Sequence, residues 1–336
     1  MTKRIPSIVD VARLAQVSHQ TVSRVINKKP NVKDSTRIRV ELAMEEIGFR
    51  PNSAARALVT GQSSIIAVLS YDTTLFGPAS MLHAVQHAAR EIGFTVTLIS
   101  LKSINPVSVM AGLEEIANLR AEGVVIIAPQ GVGQEVIQKI PGNLSAVFIE
   151  GGEVTSTPSV EVDHLQGAVL ATRHLMELGH KNIAHISGPS DWFAAERRKV
   201  GWQRALAEGK LKAGACIEGD WSPESGYLAT KQILKDNSVT AIFSANDDMA
   251  IGAYRAISEL GLSIPGDVSI VGFDDVHICP YLCPALTSVT QDFDRLGHAA
   301  VGSLVSMIRK EKPAIHKLLV APELVKREST SRRLMK

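Results

Sequence analysis

Cysteine, aromatic residues and long apolar runs are all scarce in this sequence. Three cysteines among 336 residues are an odd number and leave no full disulfide framework. No apolar run approaches the roughly 20 residues that a membrane-spanning helix needs, and the charged N-terminal residues lack the apolar stretch of a secretory signal. These absences predict a cytoplasmic protein without a membrane segment.

Common catalytic and cofactor motifs are missing as well. The sequence has no Gly-x4-Gly-Lys-Ser/Thr phosphate loop, no His-Glu-x-x-His metal helix and no Gly-x-Ser-x-Gly nucleophile turn. Cys279 and Cys283, with His277, have the wrong spacing for a zinc knuckle, so we interpret them as structural. We expect no cofactor, no metal and no catalysis, although paired acids such as Glu150 and Asp274 leave a glycosidase as an alternative.

Charge is nearly balanced over the chain, at a formal +2, but it is unevenly distributed. Residues 1–60 contain 11 Lys and Arg against 5 Asp and Glu, which is +6, and the other 276 residues contain 25 against 29, which is −4. A basic segment on a near-neutral body is typical of an appendage that binds nucleic-acid phosphates. The length and the 45% hydrophobic content predict a large core in two or three domains.

The pattern of apolar residues changes once along the chain. Residues 1–50 have the periodicity of short helices, whereas from Ser64 onward apolar strands alternate with amphipathic helices. The candidate strands are 65–69, 96–100, 124–128, 146–149, 183–187, 242–244 and 270–273. Continuous apolar strands separated by helices form parallel sheets covered on both faces. The sequence therefore predicts an α/β body of two lobes, with a ligand cleft between them.

A helix-turn-helix motif is indicated within the basic segment. Residues 10–15 are the predicted first helix, and Ser18 is a good N-cap for the second. Five apolar residues are expected to pack inward: Val11, Leu14, Val17, Val22 and Val25. The polar side chains then face outward, where glutamine can read adenine, arginine can read guanine, and hydroxyls suit phosphates. The predicted DNA contacts are Ser18, His19, Gln20, Thr21, Ser23, Arg24 and Asn27.

Motifs along essentially the full chain resemble the lactose-repressor and galactose-repressor family of bacterial transcription regulators. They include Val9-Asp10-Val11-Ala12, the run of residues 17–27, Arg50-Pro51-Asn52, Ala245-Asn246-Asp247-Asp248 and Gly272-Phe273-Asp274-Asp275. The resemblance implies an all-α helix-turn-helix head on a two-lobed core like that of periplasmic binding proteins. An exported sugar-binding protein would share the two lobes, but it would need an export signal and would have no such head.

The resemblance also implies the domain boundaries and the role of the linker. We expect the head at 1–50, a hinge helix at 51–61, the N-terminal lobe at 62–161 and 292–320, the C-terminal lobe at 162–291 and 321–330, and a tail at 331–336. The hinge helix is too short to hold by itself in water. The family pairs two such helices in the minor groove and inserts a leucine between base steps, so Asn52 and Leu58 complete the predicted DNA contacts.

The second predicted site binds a small effector. Sugar recognition needs planar polar groups that grip neighbouring hydroxyls and an aromatic face for the ring, and such residues lie near predicted strand ends. The resemblance places them in an inducer cleft, adds apolar wall positions, and puts Glu150 where the repressor that names the family has aspartate. The predicted site comprises Leu75, Pro78, Glu150, Arg198, Trp221, Asn246, Asp274, Gln291 and Phe293.

The resemblance further implies how the protein works. The expected partners are a palindromic double-stranded operator and a small carbohydrate inducer, most consistent with a galactoside; another sugar or a nucleobase corepressor is the alternative. No leucine heptads follow Val325, so we expect a homodimer rather than a tetramer. His19 stands where the repressor that names the family has tyrosine, so the preferred operator is expected to differ there.

Overall fold

The structure, a computed structural model, describes residues 6–27, 29–50, 62–71, 74–101, 106–129, 140–142, 144–152, 157–313 and 315–333. The chain forms two compact units, a head (Met1–Ser63) and a core (Ser64–Lys336). The predicted hinge at 51–61, with Asn52 and Leu58, lies outside the described residues. None of the described helices combines the length and apolarity that crossing a bilayer requires.

The head is built from three short helices, α1 (Ile8–Leu14), α2 (His19–Ile26) and α3 (Asp34–Glu46). Their apolar faces enclose a small core whose fully or almost fully buried members are Val11, Ala12, Ala15, Val22, Val25, Val40 and Ala43. The helix-turn-helix predicted from the sequence is therefore present, and both its helices contribute to one apolar interior.

Helix α1 begins two residues earlier than predicted. Ser7 and Asp10 form a capping box, in which Asp10 Oδ2 accepts from the Ser7 N–H (2.8 Å) and Ser7 Oγ accepts from the Asp10 N–H (3.4 Å). The prediction that Leu14 packs inward was wrong, because its side chain is 41% exposed. Ala15 is buried instead, at the residue that follows the end of the helix.

The core alternates strands and helices, which confirms the predicted α/β fold. In chain order its elements are β1 (Ile65–Tyr71), α4 (Phe76–Glu91), β2 (Thr95–Leu101), α5 (Pro106–Asn118), β3 (Gly123–Ile127), β4 (Ser145–Ile149), β5 (Ser159–Val162), α6 (His164–Glu177), β6 (Ile183–Ser187), α7 (Phe193–Glu208), β7 (Cys216–Glu218), α8 (Pro223–Ile233), β8 (Ala241–Ser244), α9 (Asp247–Glu259), β9 (Ser269–Asp274), a 3-10 turn (Cys279–Tyr281), β10 (Thr287–Thr290), α10 (Phe293–Ile308), β11 (Lys317–Val320) and β12 (Glu323–Val325).

The first sheet has the strand order β11-β5-β4-β3-β1-β2, and all its pairs are parallel. Alternate residues of β1 face opposite layers, as the period of two in a strand requires. Ile66 and Val68 pack with α4 and α10, whereas Leu69 packs with α5. Burial on both faces explains why β1 is a continuous apolar run.

The second sheet has the order β12-β10-β9-β8-β6-β7 and is parallel except where β12 pairs with β10. Helices α8 and α9 cover one face, over Ile242 and Ile270, and α6 and α7 cover the other, over Phe243 and Val271. The chain passes between the two sheets after β5, after β10 and between β11 and β12. These passages bring strand ends of both sheets to a common region.

Five strands of the structure were absent from the sequence prediction, namely β5, β7, β10, β11 and β12. Each has only three or four residues, and several contain hydroxyl or charged side chains, so periodicity over so short a stretch is a weak signal. The described part of the predicted tail stays attached to the C-terminal lobe. The Ser331 N–H donates to Ser269 Oγ (3.1 Å) and the Arg333 N–H to the Leu178 carbonyl (2.8 Å).

Candidate functional site

Helix α2 presents the predicted DNA-contacting residues of the head. Ser18 caps it by accepting from the Thr21 N–H (3.2 Å), and the buried Val22 and Val25 set its inner face. Five of the seven predicted side chains are exposed and two are half-buried: Ser18, His19, Gln20, Arg24 and Asn27, then Thr21 and Ser23. This helix therefore has an apolar inner face and a polar outer face.

The seven residues divide into two groups by their internal hydrogen bonds. Ser18 and Thr21 pair their hydroxyls at 3.0 Å, and the Asn27 amide donates to the Ser23 carbonyl (2.8 Å) at the end of the helix. The side chains of His19, Gln20 and Arg24 make no hydrogen bond within the described part of the chain. Their side chains are free to contact base edges, which is the role predicted for these three positions.

A cavity of about 530 Å³ lies in the core, at the carboxyl ends of strands from both sheets. That volume includes the space at the opening of the cavity to solvent. Eight of the nine predicted effector residues line it: Leu75, Pro78, Glu150, Arg198, Trp221, Asn246, Asp274 and Gln291. Phe293 does not; its ring lies behind the wall, edge-on to Phe76 with 5.9 Å between centroids.

Arg198, on α7, is the charged centre of the cavity and is only 4% exposed. One of its terminal nitrogens donates to the Ala245 carbonyl, and the other lies 3.5 Å from Asp274 Oδ1. The guanidinium also stacks on Phe273, at 3.7 Å from the ring centroid. A buried cation is thus satisfied by a carbonyl, a carboxylate and an aromatic face.

His164 connects Arg198 to Glu150 through its two ring nitrogens. Arg198 Nε and Nη2 lie 3.4 and 3.2 Å from His164 Nδ1, and because a guanidinium has only donors, Nδ1 must accept. The proton therefore sits on Nε2, which donates to Glu150 Oε2 (2.8 Å). Burial lowers the pKa of His164 despite the nearby Glu150, so this neutral tautomer is the stable form.

Asp274 and Gln291 extend this network to the end of β10. Gln291 Nε2 donates to Asp274 Oδ1 (2.6 Å). Burial chiefly, with repulsion from Asp247 and Asp248, raises the pKa of Asp274 to about 8 in spite of Arg198. A continuous set of hydrogen bonds and ion pairs thus runs from Glu150, after β4 of the first sheet, to the end of β10 of the second.

Three of the lining residues adopt a left-handed backbone, with φ of 58° at Glu150, 73° at Trp221 and 108° at Asp274. Such conformations cost on the order of 1–3 kcal/mol each for a residue with a side chain, and they concentrate at functional sites. At Trp221 the conformation is held by Asn246, whose amide donates to the Trp221 carbonyl (3.0 Å). Backbone strain around one cavity supports the interpretation that its geometry serves a ligand.

The ring of Trp221 is placed by a close approach to Gly188. A Cβ at residue 188 would overlap the Trp221 ring, so only glycine allows the indole to lie there. Trp192 packs edge-on against Trp221, with centroids 5.6 Å apart and ring planes at 70°. The Trp221 Nε1–H is buried without a hydrogen-bond partner in the described structure, so a donor is available at the cavity wall.

Several lining residues were not predicted from the sequence: Phe76, Gly77, Met81, Pro129, His164, Trp192, Ala194 and Asp248. Asp248 comes two residues after the predicted Asn246, in the first turn of α9, and His164 comes two residues after β5, so position near a strand end was the available signal. Cys279, interpreted as structural, is buried and its thiol donates to Asp247 Oδ2 (3.2 Å).

Comparisons with known proteins agree with both units. Residues 7–52 match the family model of bacterial regulatory proteins, lacI family, and residues 172–330 match that of a periplasmic binding protein-like domain. The lactose operon repressor of Escherichia coli (strain K12) is 34% identical over 326 residues, covering 96% of this chain and 90% of that protein. The HTH-type transcriptional repressor PurR of Proteus mirabilis (strain HI4320) is 33% identical, covering 97% of each.

Solved structures give the same result. A lac repressor dimer bound to operator and the anti-inducer ONPF has a TM-score of 0.87 and 33% identity, covering 98% of this chain and 100% of that one. The complex of the transcriptional regulator CelR with cellobiose has a TM-score of 0.71 and 29% identity, covering 96% and 99%. The relatives are repressors rather than enzymes. This chain belongs to the lacI family of bacterial regulatory proteins and is a transcriptional repressor.

Proposed function

We propose that this repressor binds a palindromic operator as a homodimer in the cytoplasm, and that a small carbohydrate in the core cavity releases it. The exposed side chains of α2 supply the base contacts, and a lac repressor with 33% identity is a dimer on its operator. Two-fold symmetry of the protein then requires two-fold symmetry of the DNA site.

The observation that carries the effector assignment is the cavity in the core. It combines a buried guanidinium, a carboxylate and two amides with the indole of Trp221, and these are the groups that grip hydroxyl pairs and cover the apolar face of a sugar ring: Arg198, Asp274, Asn246 and Gln291. A galactoside is our first candidate, since the lactose operon repressor is among the relatives.

The bonded network through His164 offers a route for the release. Glu150 follows β4 of the first sheet, whereas Asp274 ends β9 of the second sheet and Arg198 lies on α7, which packs against that second sheet. A sugar that binds members of both sets favours one arrangement of the two lobes over another. We infer that this arrangement disfavours the paired hinge helices, and with them the operator complex.

A nucleobase corepressor is the second candidate, because PurR proteins are also relatives and because Trp192 joins Trp221 in the cavity wall. A flat base is best held between parallel rings, whereas these two rings meet at 70°. The polar groups around a single indole face therefore favour a sugar.

The test is an operator-affinity measurement with an effector panel. Duplexes that the full-length protein selects from a random library would be titrated by fluorescence anisotropy with galactosides, other sugars and purine bases. We expect at least one sugar to lower operator affinity by about tenfold or more, the usual range of allosteric coupling. A purine that tightens binding would support the corepressor instead, and a flat response to the whole panel would overturn the proposal.

A further inference from the structure

The charges in the effector cavity do not cancel. Three carboxylate residues line it, Glu150, Asp248 and Asp274, but only one residue of the lining, Arg198, carries a permanent positive charge. His164 is neutral, because its Nδ1 accepts from the guanidinium and its burial disfavours a second proton. The described wall of the cavity therefore has three acidic residues against one permanently charged basic residue.

Arg198 is already engaged by several groups of the protein. It binds His164 Nδ1, the Ala245 carbonyl and Asp274 within the protein. Glu150 is similarly committed, because Oε1 accepts from the Val162 N–H (2.9 Å) and Oε2 from His164 (2.8 Å). The acceptors of the lining that have no donor in the described structure are consequently the Asp248 carboxylate, the second oxygen of Asp274 and Gln291 Oε1.

Asp248 is a half-buried carboxylate that has no partner among the residues the structure describes. It makes no hydrogen bond and no ion pair with any described residue, and burial raises its pKa. Asp248 and Asp274 line the same cavity, and repulsion from Asp248 contributes to the raised pKa of Asp274. A pair of partly buried carboxylates is relieved by a cation placed between them.

Gln291 provides an independent indication that the ligand donates hydrogen bonds. Its side chain is 8% exposed, its Nε2 is used on Asp274, and its Oε1 has no partner in the described structure although it is buried. Leaving a buried acceptor unsatisfied costs about 1–3 kcal/mol. A ligand with N–H donors would satisfy this oxygen together with the carboxylates.

From these groups we propose that the effector is a positively charged carbohydrate, an amino sugar whose ammonium group binds between Asp248 and Asp274. This inference rests on the proposed carbohydrate-binding function. An ammonium group supplies three N–H donors and one positive charge, whereas a hydroxyl supplies one donor and no charge. The indole of Trp221 remains available for the apolar face of the ring.

The experiment is calorimetric titration of the full-length protein with matched sugars. Galactosamine, glucosamine and mannosamine are each compared with the neutral parent sugar and with the uncharged N-acetyl derivative, about one pH unit below the range of an α-amino pKa so that the amine is protonated. We expect at least one amino sugar to bind about tenfold or more tightly than both uncharged relatives, because an ion pair in a partly buried site is worth more than one in water.

The variant Asp248→Asn keeps the shape of the side chain and removes its charge. It should reduce the preference for the amine to about threefold or less, while Asp294→Asn, an exposed aspartate outside the cavity lining, should leave it unchanged. If Asp248→Asn melts early, salt titration of the unaltered protein is the substitute. Salt should then weaken binding of the amine and spare that of the neutral parent.

The outcomes separate the two proposals. Neutral sugars that bind and release operator, with no amino sugar tighter than its parent, would overturn the inference and leave the proposed function standing. A preference for the amine that persists in Asp248→Asn would overturn it too. If none of the sugars, charged or neutral, binds the protein, the proposed carbohydrate-binding function fails.

Discussion

At the residue scale, the guanidinium of Arg198 holds three partners of the cavity in place: His164, the Ala245 carbonyl and Asp274. Replacing it by alanine would leave the Asp274 carboxyl without its cation. His164 Nδ1 and the Ala245 carbonyl would also lose their hydrogen-bond donor. Breaking a buried pair in this way costs on the order of 3–5 kcal/mol of stability. The variant must therefore be checked by thermal denaturation before its function is interpreted.

We predict that folded Arg198→Ala binds operator within about threefold of the unaltered protein but no longer responds to effector, since the head lacks any part of the cavity. Asp274→Asn should behave alike at a smaller cost in stability. Arg204→Ala is the matched control, because Arg204 lies on the same helix, is 60% exposed and binds Glu208 instead. Loss of operator binding by a folded Arg198→Ala would contradict the assignment.

His185 makes the C-terminal lobe sensitive to acid. It is fully buried, stacks on Phe243 and Trp202, and donates from Nδ1 to the Phe243 carbonyl (2.9 Å). Burial lowers its pKa to about 4, in spite of that hydrogen bond. The unfolded state binds the proton more readily than the folded state. The contribution of neutral His185 to the free energy of unfolding is therefore complete above pH 6.5 and is lost as the pH falls from there to about 4.

The variant His185→Asn keeps a donor for the Phe243 carbonyl but has no group that titrates there. We predict that the difference in free energy of unfolding between the unaltered protein and this variant is smaller at pH 4 than at pH 7, by about 3 kcal/mol. Urea unfolding followed at several pH values measures this difference. A constant difference over that pH interval would show that the histidine titrates normally.

At the element scale, the predicted hinge at 51–61 is a short, alanine-rich segment of the sequence. It contains Ala54, Ala55, Ala57 and Leu58 in a stretch shorter than an isolated helix needs. If it forms only on DNA and against its counterpart, its ordering is coupled to operator binding. The same segment would then be where a change in the core is transmitted to the DNA.

We predict that Leu58→Ala weakens operator binding by about tenfold or more. An apolar side chain inserted between base steps bends the DNA and lets it contact more of the protein surface, and alanine is too short to insert. Effector affinity of the free protein should stay unchanged. The control is Leu119→Ala, the same truncation at a leucine that is 36% exposed and lies in the larger unit, Ser64–Lys336. A Leu58→Ala protein with unaltered operator affinity would argue against insertion of this side chain.

At the scale of the whole molecule, the three passages between the sheets make the cavity sensitive to how the two lobes are arranged. Residues of the network lie directly at two of these passages, His164 after β5 and Gln291 after β10. Any ligand that alters the network acts where the chain leaves one sheet for the other. Coupling of this kind is a difference in free energy between two states, so it must be the same in both directions.

We predict that saturating operator DNA lowers effector affinity by the same factor by which effector lowers operator affinity. Calorimetric titration of the free protein and of its DNA complex gives the first factor, and anisotropy in the presence of effector gives the second. Unequal factors, outside experimental error, would show that the two binding events are not linked through one equilibrium.

The sequence determined the local features of this protein by itself. Ser18 caps α2 as predicted, Val11, Val22 and Val25 are buried as predicted, and the long apolar strands of both sheets lie where their runs indicate. These outcomes depend on neighbours within a few residues, through capping, helical periodicity and strand alternation. The family motifs extended the prediction to half of the residues that line the cavity.

Tertiary structure alone decided what no local pattern contains. The short strand β10 exists because β9 and β12 pair with it. Leu14 is exposed whereas the neighbouring Ala15 is buried, and Phe293 packs edge-on against Phe76 rather than lining the cavity. The tautomer of His164 is set by Arg198, which lies 34 residues away. Contacts between residues so far apart in sequence depend on how the two sheets pack. That packing is set by the whole fold and not by any local pattern of residues.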